Sequence, residues 1–164
     1  MEKIKSTIAI CSRSFSNNYE LTNLIREKYT NVILNESGHT LKGQELQKFL
    51  YPADKAIVGI EEISDELLAE LPNLKLISKY GVGLNNIDLN SVKQRGILLG
   101  FTPGPNKQSV AELALTLILI SLRKIPRSLD DIRNKIWSQQ KGRELFNKTV
   151  GIVGYGNIGK ALAK

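Results

Sequence analysis

Among its 164 residues the chain has one cysteine, one histidine and one tryptophan, and each scarcity removes a class of explanation. With Cys11 alone no intrachain disulfide can form, so a reducing compartment suits the chain. Cys11 also sits in an apolar run, which reads as an inert buried thiol. The single histidine, His39, falls in an Asn-Glu-Ser-Gly-His turn and reads as a surface residue; no metal site is expected. Long apolar runs are absent too. The most apolar segment, Val110 to Leu122, is interrupted by Glu112, Thr116 and Ser121 and falls short of a membrane span. The basic start leads into Ile8 to Cys11, too short for a signal-peptide core. Like charges nowhere cluster: 23 Lys and Arg are interspersed with 16 Asp and Glu for a net charge of +7. Such a surface helps collect phosphorylated or carboxylated small molecules, while the lack of an aromatic-basic module argues against nucleic acid. These readings predict a soluble cytoplasmic protein with neither membrane nor nucleic acid as partner.

What is present is a globular composition, 41% hydrophobic and 24% charged, in which short apolar runs alternate with helix-period segments. That alternation is the signature of a parallel α/β sheet. Strands are expected over Thr7 to Cys11, Val32 to Leu34, Ala56 to Ile60, Leu74 to Ser78 and Ile97 to Leu99. Between them, Leu21, Leu24 and Ile25, then Leu46, Phe49 and Leu50, then Leu67, Leu68 and Leu71, then Leu89 and Val92 recur at helical spacing. Asp88 is the expected N-cap of the last of these helices, and Gly96 its stop. The first hundred or so residues therefore form a doubly wound domain with helices on both faces.

The texture changes at Thr102, Pro103, Gly104 and Pro105, a stiff connector. The following helix, Val110 to Leu122, is apolar nearly all round and is expected to be buried between domains or subunits. Pro126 is expected to end it. Ser128, Leu129, Ile132, Ile136 and Trp137 predict another helix, with Trp137 packed in a core or interface.

Two glycine clusters carry the chemistry. In the first, Lys79, Tyr80, Gly81, Val82, Gly83 and Leu84 stand at the carboxyl end of the fourth strand, the edge where open α/β sheets bind ligands. Successive backbone N–H groups in such a turn form an anion nest suited to a carboxylate, with Lys79 near enough to add charge. In the second, the β-prone run Thr149 to Val153 leads into Gly154, Tyr155, Gly156, Asn157, Ile158 and Gly159 and then Lys160 to Ala163. Strand, glycine turn and helix in that order is the context a dinucleotide motif requires. The first glycine makes the turn, the second lets a pyrophosphate approach, and the third lets the helix pack close. A complete unit needs roughly 30 residues and an acidic residue roughly 20 positions onward, so the remainder is expected beyond Lys164.

The runs Leu74 to Asp88, Thr102 to Asn106 with Ser109 to Glu112, and Val150 to Gly159 together resemble the D-isomer-specific 2-hydroxyacid dehydrogenases, in order and spacing and over nearly the whole chain. Among subfamilies the chain is most similar to the D-3-phosphoglycerate dehydrogenases, which Asn35, Gly38, Leu41, Glu45 and Leu46 also resemble. The resemblance implies a flavodoxin-like substrate domain, first segment 1–101, followed by the start of a Rossmann NAD-binding domain, 102–164. It implies an NAD-dependent oxidoreductase moving hydride between a 2-hydroxy acid, phosphorylated ones included, and the nicotinamide, in a homodimer or larger assembly. Backbone N–H groups at Tyr80, Gly81, Val82 and Gly83 would hold the carboxylate. Val82 would also approach the nicotinamide, Asn106 would face the cleft, and Asn157 and Ile158 would meet the pyrophosphate.

Two positions depart from the family pattern: Asn85 stands where Asp is usual, and Phe101 where a polar residue often precedes Thr-Pro-Gly. The family's catalytic Arg, Glu and His would lie downstream, so the 164 residues alone are expected to be inactive. Two other readings share parts of this pattern. A receiver-like or flavodoxin-like binding module is disfavoured because Cys11, Ser12 and Arg13, and not an acidic cluster, end the first strand. An NAD-sensing regulatory relative is separated from an enzyme only by residues beyond Lys164.

Overall fold

A computed structural model describes residues 3–164. They divide into two compact units, one ending at Pro103 and the other beginning at Gly104.

The first unit is built on five parallel strands, β1 (Ile4–Ile10), β2 (Tyr29–Leu34), β3 (Lys55–Val58), β4 (Leu76–Lys79) and β5 (Leu98–Gly100), in the order β2-β1-β3-β4-β5. This is the flavodoxin-like order. The helices are α1 (Arg13–Ser16), α2 (Tyr19–Lys28), α3 (Gly43–Leu50), α4 (Asp65–Ala69) and α5 (Leu89–Gln94). Because side chains alternate along a strand, the pleat sorts the apolar residues into two layers. Ile8, Ile10 and Ile57 pack with Phe15 of α1 and with Leu21 and Ile25 of α2. Ala9, Cys11, Ala56, Val58 and Ile77 pack with Leu46 and Leu50 of α3, Leu68 of α4 and Val92 of α5. Small residues on the inner strands let these helices lie close. Each fully buried Leu contributes about 1.5–3 kcal/mol, which is what holds helices too short to persist alone.

Capping follows the sequence closely. Asp88 accepts from Asn90 N and Ser91 N at 3.0 Å each, and Gly96 ends α5 with φ +66, a conformation glycine adopts freely. Helix α1 is an addition to the elements expected. Four residues are too few to show a period, and only the Ser12 cap on Phe15 N marks it.

The second unit holds α6 (Lys107–Leu122), α7 (Ile125–Arg133) and α8 (Asn157–Leu162), with α6 packed against both others. Two expectations fail here. No strand forms over 149–153, and Val153 is fully exposed; an apolar run becomes a strand only beside a hydrogen-bonding neighbour, and none is present among the described residues. Pro126 begins α7 and does not simply end α6, since the first helical turn has no use for its missing N–H. Within the single chain, Trp137 is almost wholly exposed and Leu113 and Leu117 are more than half exposed. Among the described residues, none of the α6 positions but Ala111 is buried.

Candidate functional site

In the first unit the carboxyl ends of β3 and β4 lie side by side, Val58 in register with Lys79. The two chains then leave the sheet as the segments 59–62 and 80–83. Tyr80 N donates to Val58 O at 2.8 Å, extending the ladder by one bond. That engages the Tyr80 amide, which the sequence had assigned to the carboxylate. Gly81, Val82 and Gly83 donate to no acceptor among the described residues, leaving three successive N–H groups open to a ligand. Gly81 has φ +146, where a side chain is strained.

A polar brace fixes this loop from beneath. The Lys79 ammonium donates to Gly59 O and, at 2.6 Å, to Asn86 Oδ1. Asn86 Nδ2 donates to Glu61 O at 2.5 Å and to Gly59 O at 3.2 Å. Gly59 N in turn donates to Glu61 Oε2 at 2.7 Å, and Ile63 N to Asn86 O at 2.8 Å. Burial pulls Lys79 below the usual lysine range, and the charge of Glu61 opposes that shift. Lys79 therefore ties two loops together, whereas the sequence suggested a free charge for the ligand. Glu61, only 2% exposed, also lies close enough to Cys11 to reinforce the upward push that burial gives its thiol; Cys11 is buried, as expected.

The Tyr80 ring meets Phe15 edge-on, centroids 5.1 Å apart at 80°. Neither this pair nor the brace was foreseen from the sequence. The available signal was a pair of acids directly after a strand and an amide directly after a glycine loop.

His39 is exposed, with Nε2 3.0 Å from each carboxylate oxygen of Glu45. That hydrogen bond and the Glu45 charge raise the imidazole above its ordinary value. It follows β2, three strands across the sheet from β4, and its ring is engaged by Glu45 at the surface, as the turn reading expected. A cleft of about 540 Å³ lies between these regions, bordered by Lys42, Gln47, Ile60, Glu62, Glu66 and Glu70. Its three acids make it unsuited to a carboxylate.

In the second unit the glycine motif forms a tight turn. Gly154 has φ +98. A Cβ on Gly159 would overlap Gly154 O, whereas one on Gly156 would meet nothing. The first and third glycines are thus required by the turn itself, and the second faces open space, the arrangement that a close-approaching phosphate group needs. Gly156 caps α8 without a side-chain bond, and the N–H groups of Asn157 and Ile158, in the first turn, have no acceptor among the described residues. Asn106, at the start of α6, is exposed and makes no side-chain capping bond, and Gly104 packs against the Asn157 side chain.

The model of the D-isomer specific 2-hydroxyacid dehydrogenase catalytic domain matches residues 8–157. The chain belongs to the D-isomer specific 2-hydroxyacid dehydrogenase family. It is 36% identical over 148 residues to a hydroxypyruvate reductase of Thermotoga maritima, covering 88% of this chain and 47% of that protein. It is 40% identical over 104 residues to a D-3-phosphoglycerate dehydrogenase of Mycobacterium bovis, covering 62% and 20%. Among solved structures, NAD+-bound 3-phosphoglycerate dehydrogenase of Entamoeba histolytica matches with a TM-score of 0.75 at 28% identity, over 98% of this chain and 50% of that one. The chain thus spans about half the length of the Thermotoga maritima relative and a fifth of the Mycobacterium bovis one. No described helix is long and apolar enough to cross a membrane.

Proposed function

We propose that this chain is the amino-terminal part of an NAD-dependent dehydrogenase that interconverts a 2-hydroxy acid and its 2-keto acid, one unit contributing the carboxylate site and the other the start of the nucleotide site. The observation that carries this reading is the row of free N–H groups at Gly81, Val82 and Gly83, held at the ligand-binding edge of a parallel sheet by the Lys79 brace. Successive amides in such a turn can hold a carboxylate without a mobile side chain, so the substrate would be oriented at little entropic cost.

The turn at 154–159 fits the pyrophosphate of a dinucleotide, with Asn157 and Ile158 donating from the backbone and Tyr155 beside them. NAD supplies the hydride acceptor when bound. Val82, central in the loop, is assigned to the nicotinamide end, and Asn106 and Asn157 to polar contacts around the ligands. Relatives named for hydroxypyruvate and for phosphoglycerate support the 2-hydroxy acid class. Homodimers or larger assemblies in the full-length protein, with the exposed α6 face covered, belong to the same proposal.

The test is hydride transfer by the protein purified at its natural length. NADH oxidation with short 2-keto acids, yielding the D-hydroxy acid, is expected. Absence of turnover with any 2-keto acid, while NADH still binds, would favour a nucleotide-sensing role instead.

A further inference from the structure

The chain as a whole is cationic at +7, but the edge that carries the carboxylate loop is not. The two segments that leave β3 and β4 side by side are Gly59-Ile60-Glu61-Glu62 and Lys79-Tyr80-Gly81-Val82-Gly83. They hold two carboxylates and one ammonium, and that ammonium is engaged by Gly59 O and Asn86 Oδ1. Glu61 is buried beneath the loop and Glu62 is exposed beside it. The next cation along the sheet edge, Arg13 after β1, donates to Gly38 O at 3.3 Å, on the β2 side, and Lys42 borders the cleft beyond Ile60 among three acids, Glu62, Glu66 and Glu70.

The two large side chains placed beside the three amides, Tyr80 and Ile60, are uncharged. Tyr80, 40% exposed, is held edge-on against the buried Phe15. Ile60 is 73% exposed one residue beyond Gly59, and adjacent strand ends run about 4.8 Å apart. A second anionic group on the ligand, placed here, would meet an aromatic ring, an isoleucine and Glu62, with Lys42 of the adjoining cleft outnumbered by Glu62, Glu66 and Glu70.

Resting on the carboxylate reading above, we infer that Tyr80 and Ile60 select substrates. The site takes 2-hydroxy acids whose sole anionic group is the C1 carboxylate, with an uncharged substituent at C3, and it discriminates against a phosphate or second carboxylate at that end. The loop amides supply affinity for the shared carboxylate, and the wall supplies the difference. Selection of this kind works by leaving the wrong ligand's charge unpaired.

D-Glycerate and 3-phospho-D-glycerate test this directly, because they differ only in the phosphate. Titrated into the isotope-labelled 164-residue chain and followed at the Gly81, Val82 and Gly83 amides, D-glycerate is expected to bind about tenfold more tightly, the scale of one unpaired like-charge contact. Ile60→Arg, at an exposed position, places a free cation on the wall and is expected to close or reverse that gap with the rest of the spectrum unchanged. Equal or tighter binding of the phosphorylated acid to the unaltered chain would overturn the inference and leave the carboxylate site standing. An unchanged preference in Ile60→Arg would overturn the role of the wall. If neither acid moves these amides, the carboxylate reading itself falls and the inference with it.

Discussion

Gly159 lies so close to the carbonyl oxygen of Gly154 that a methyl group on its α-carbon would overlap that oxygen. The first turn of α8 therefore packs directly on the turn that precedes it, and only glycine permits this. Gly159→Ala is expected to cost about 1–3 kcal/mol through overpacking, read as a lower unfolding temperature together with loss of NADH binding. Gly156→Ala, where a Cβ meets open space, should leave stability unchanged yet weaken NADH binding, because the methyl stands where the pyrophosphate would approach. Equal stability losses in the two variants would remove the basis for separate roles.

The two glycines of the carboxylate loop should also separate. Gly81 has φ +146 and its added Cβ would meet Lys79 Cε at 3.3 Å, whereas Gly83 would meet only the Asn85 side-chain oxygen at 3.1 Å, a group free to rotate. Gly81→Ala is expected to destabilise by about 1 kcal/mol or more, and Gly83→Ala by much less. Denaturant titration of both variants checks this ordering.

Removing the brace should loosen the loop selectively. Lys79→Met withdraws both donations from Gly59 O and Asn86 Oδ1 and leaves buried Glu61 without its neighbouring cation. A loss of about 1–3 kcal/mol is expected, with faster amide exchange at 81–83 than in the strands. Unchanged exchange in a folded Lys79→Met protein would show that the loop is held by the backbone ladder alone.

Parts of this arrangement are legible in the sequence and parts are not, for physical reasons. The five strands announce themselves as apolar runs because a parallel sheet is covered on both faces, and Asp88 and Gly96 mark α5 through local chemistry. The brace is invisible by the same standard. Lys79 reaches back to Gly59, and Asn86 to Glu61, contacts that exist only after β3 and β4 pair. The engagement of the Tyr80 amide has the same origin, a bond from Tyr80 to Val58 across the sheet. Residues 149–153 carry every local mark of a strand and are not one, because pairing is supplied by a neighbour and not by the run itself.

The exposed Leu113, Leu117, Leu129 and Ile132 of α6 and α7 should drive association of the 164-residue chain, as large uncovered apolar surfaces do. Sedimentation is expected to show species larger than a monomer, and Leu113→Lys with Leu117→Lys to shift them towards monomer. A monomer over a wide concentration range would contradict this.

The pair formed by His39 and Glu45 sets a pH dependence. Its hydrogen bond and charge raise the folded-state imidazole, so the stability it contributes is fully present below the unfolded value and is lost as pH rises through the folded one. Proton titration by NMR should place His39 above an ordinary imidazole, and Glu45→Gln should return it. The pair is exposed, so the stability effect is small and screened by salt.

The most direct test of the account is an amide-resolved titration of the labelled 164-residue chain with pyruvate. The expected result is perturbation centred on Gly81, Val82 and Gly83, with Tyr80 N–H little changed because Val58 O holds it at 2.8 Å. Perturbation centred instead on the cleft lined by Lys42, Gln47 and Glu66, with the glycine loop silent, would contradict the assignment of the carboxylate site.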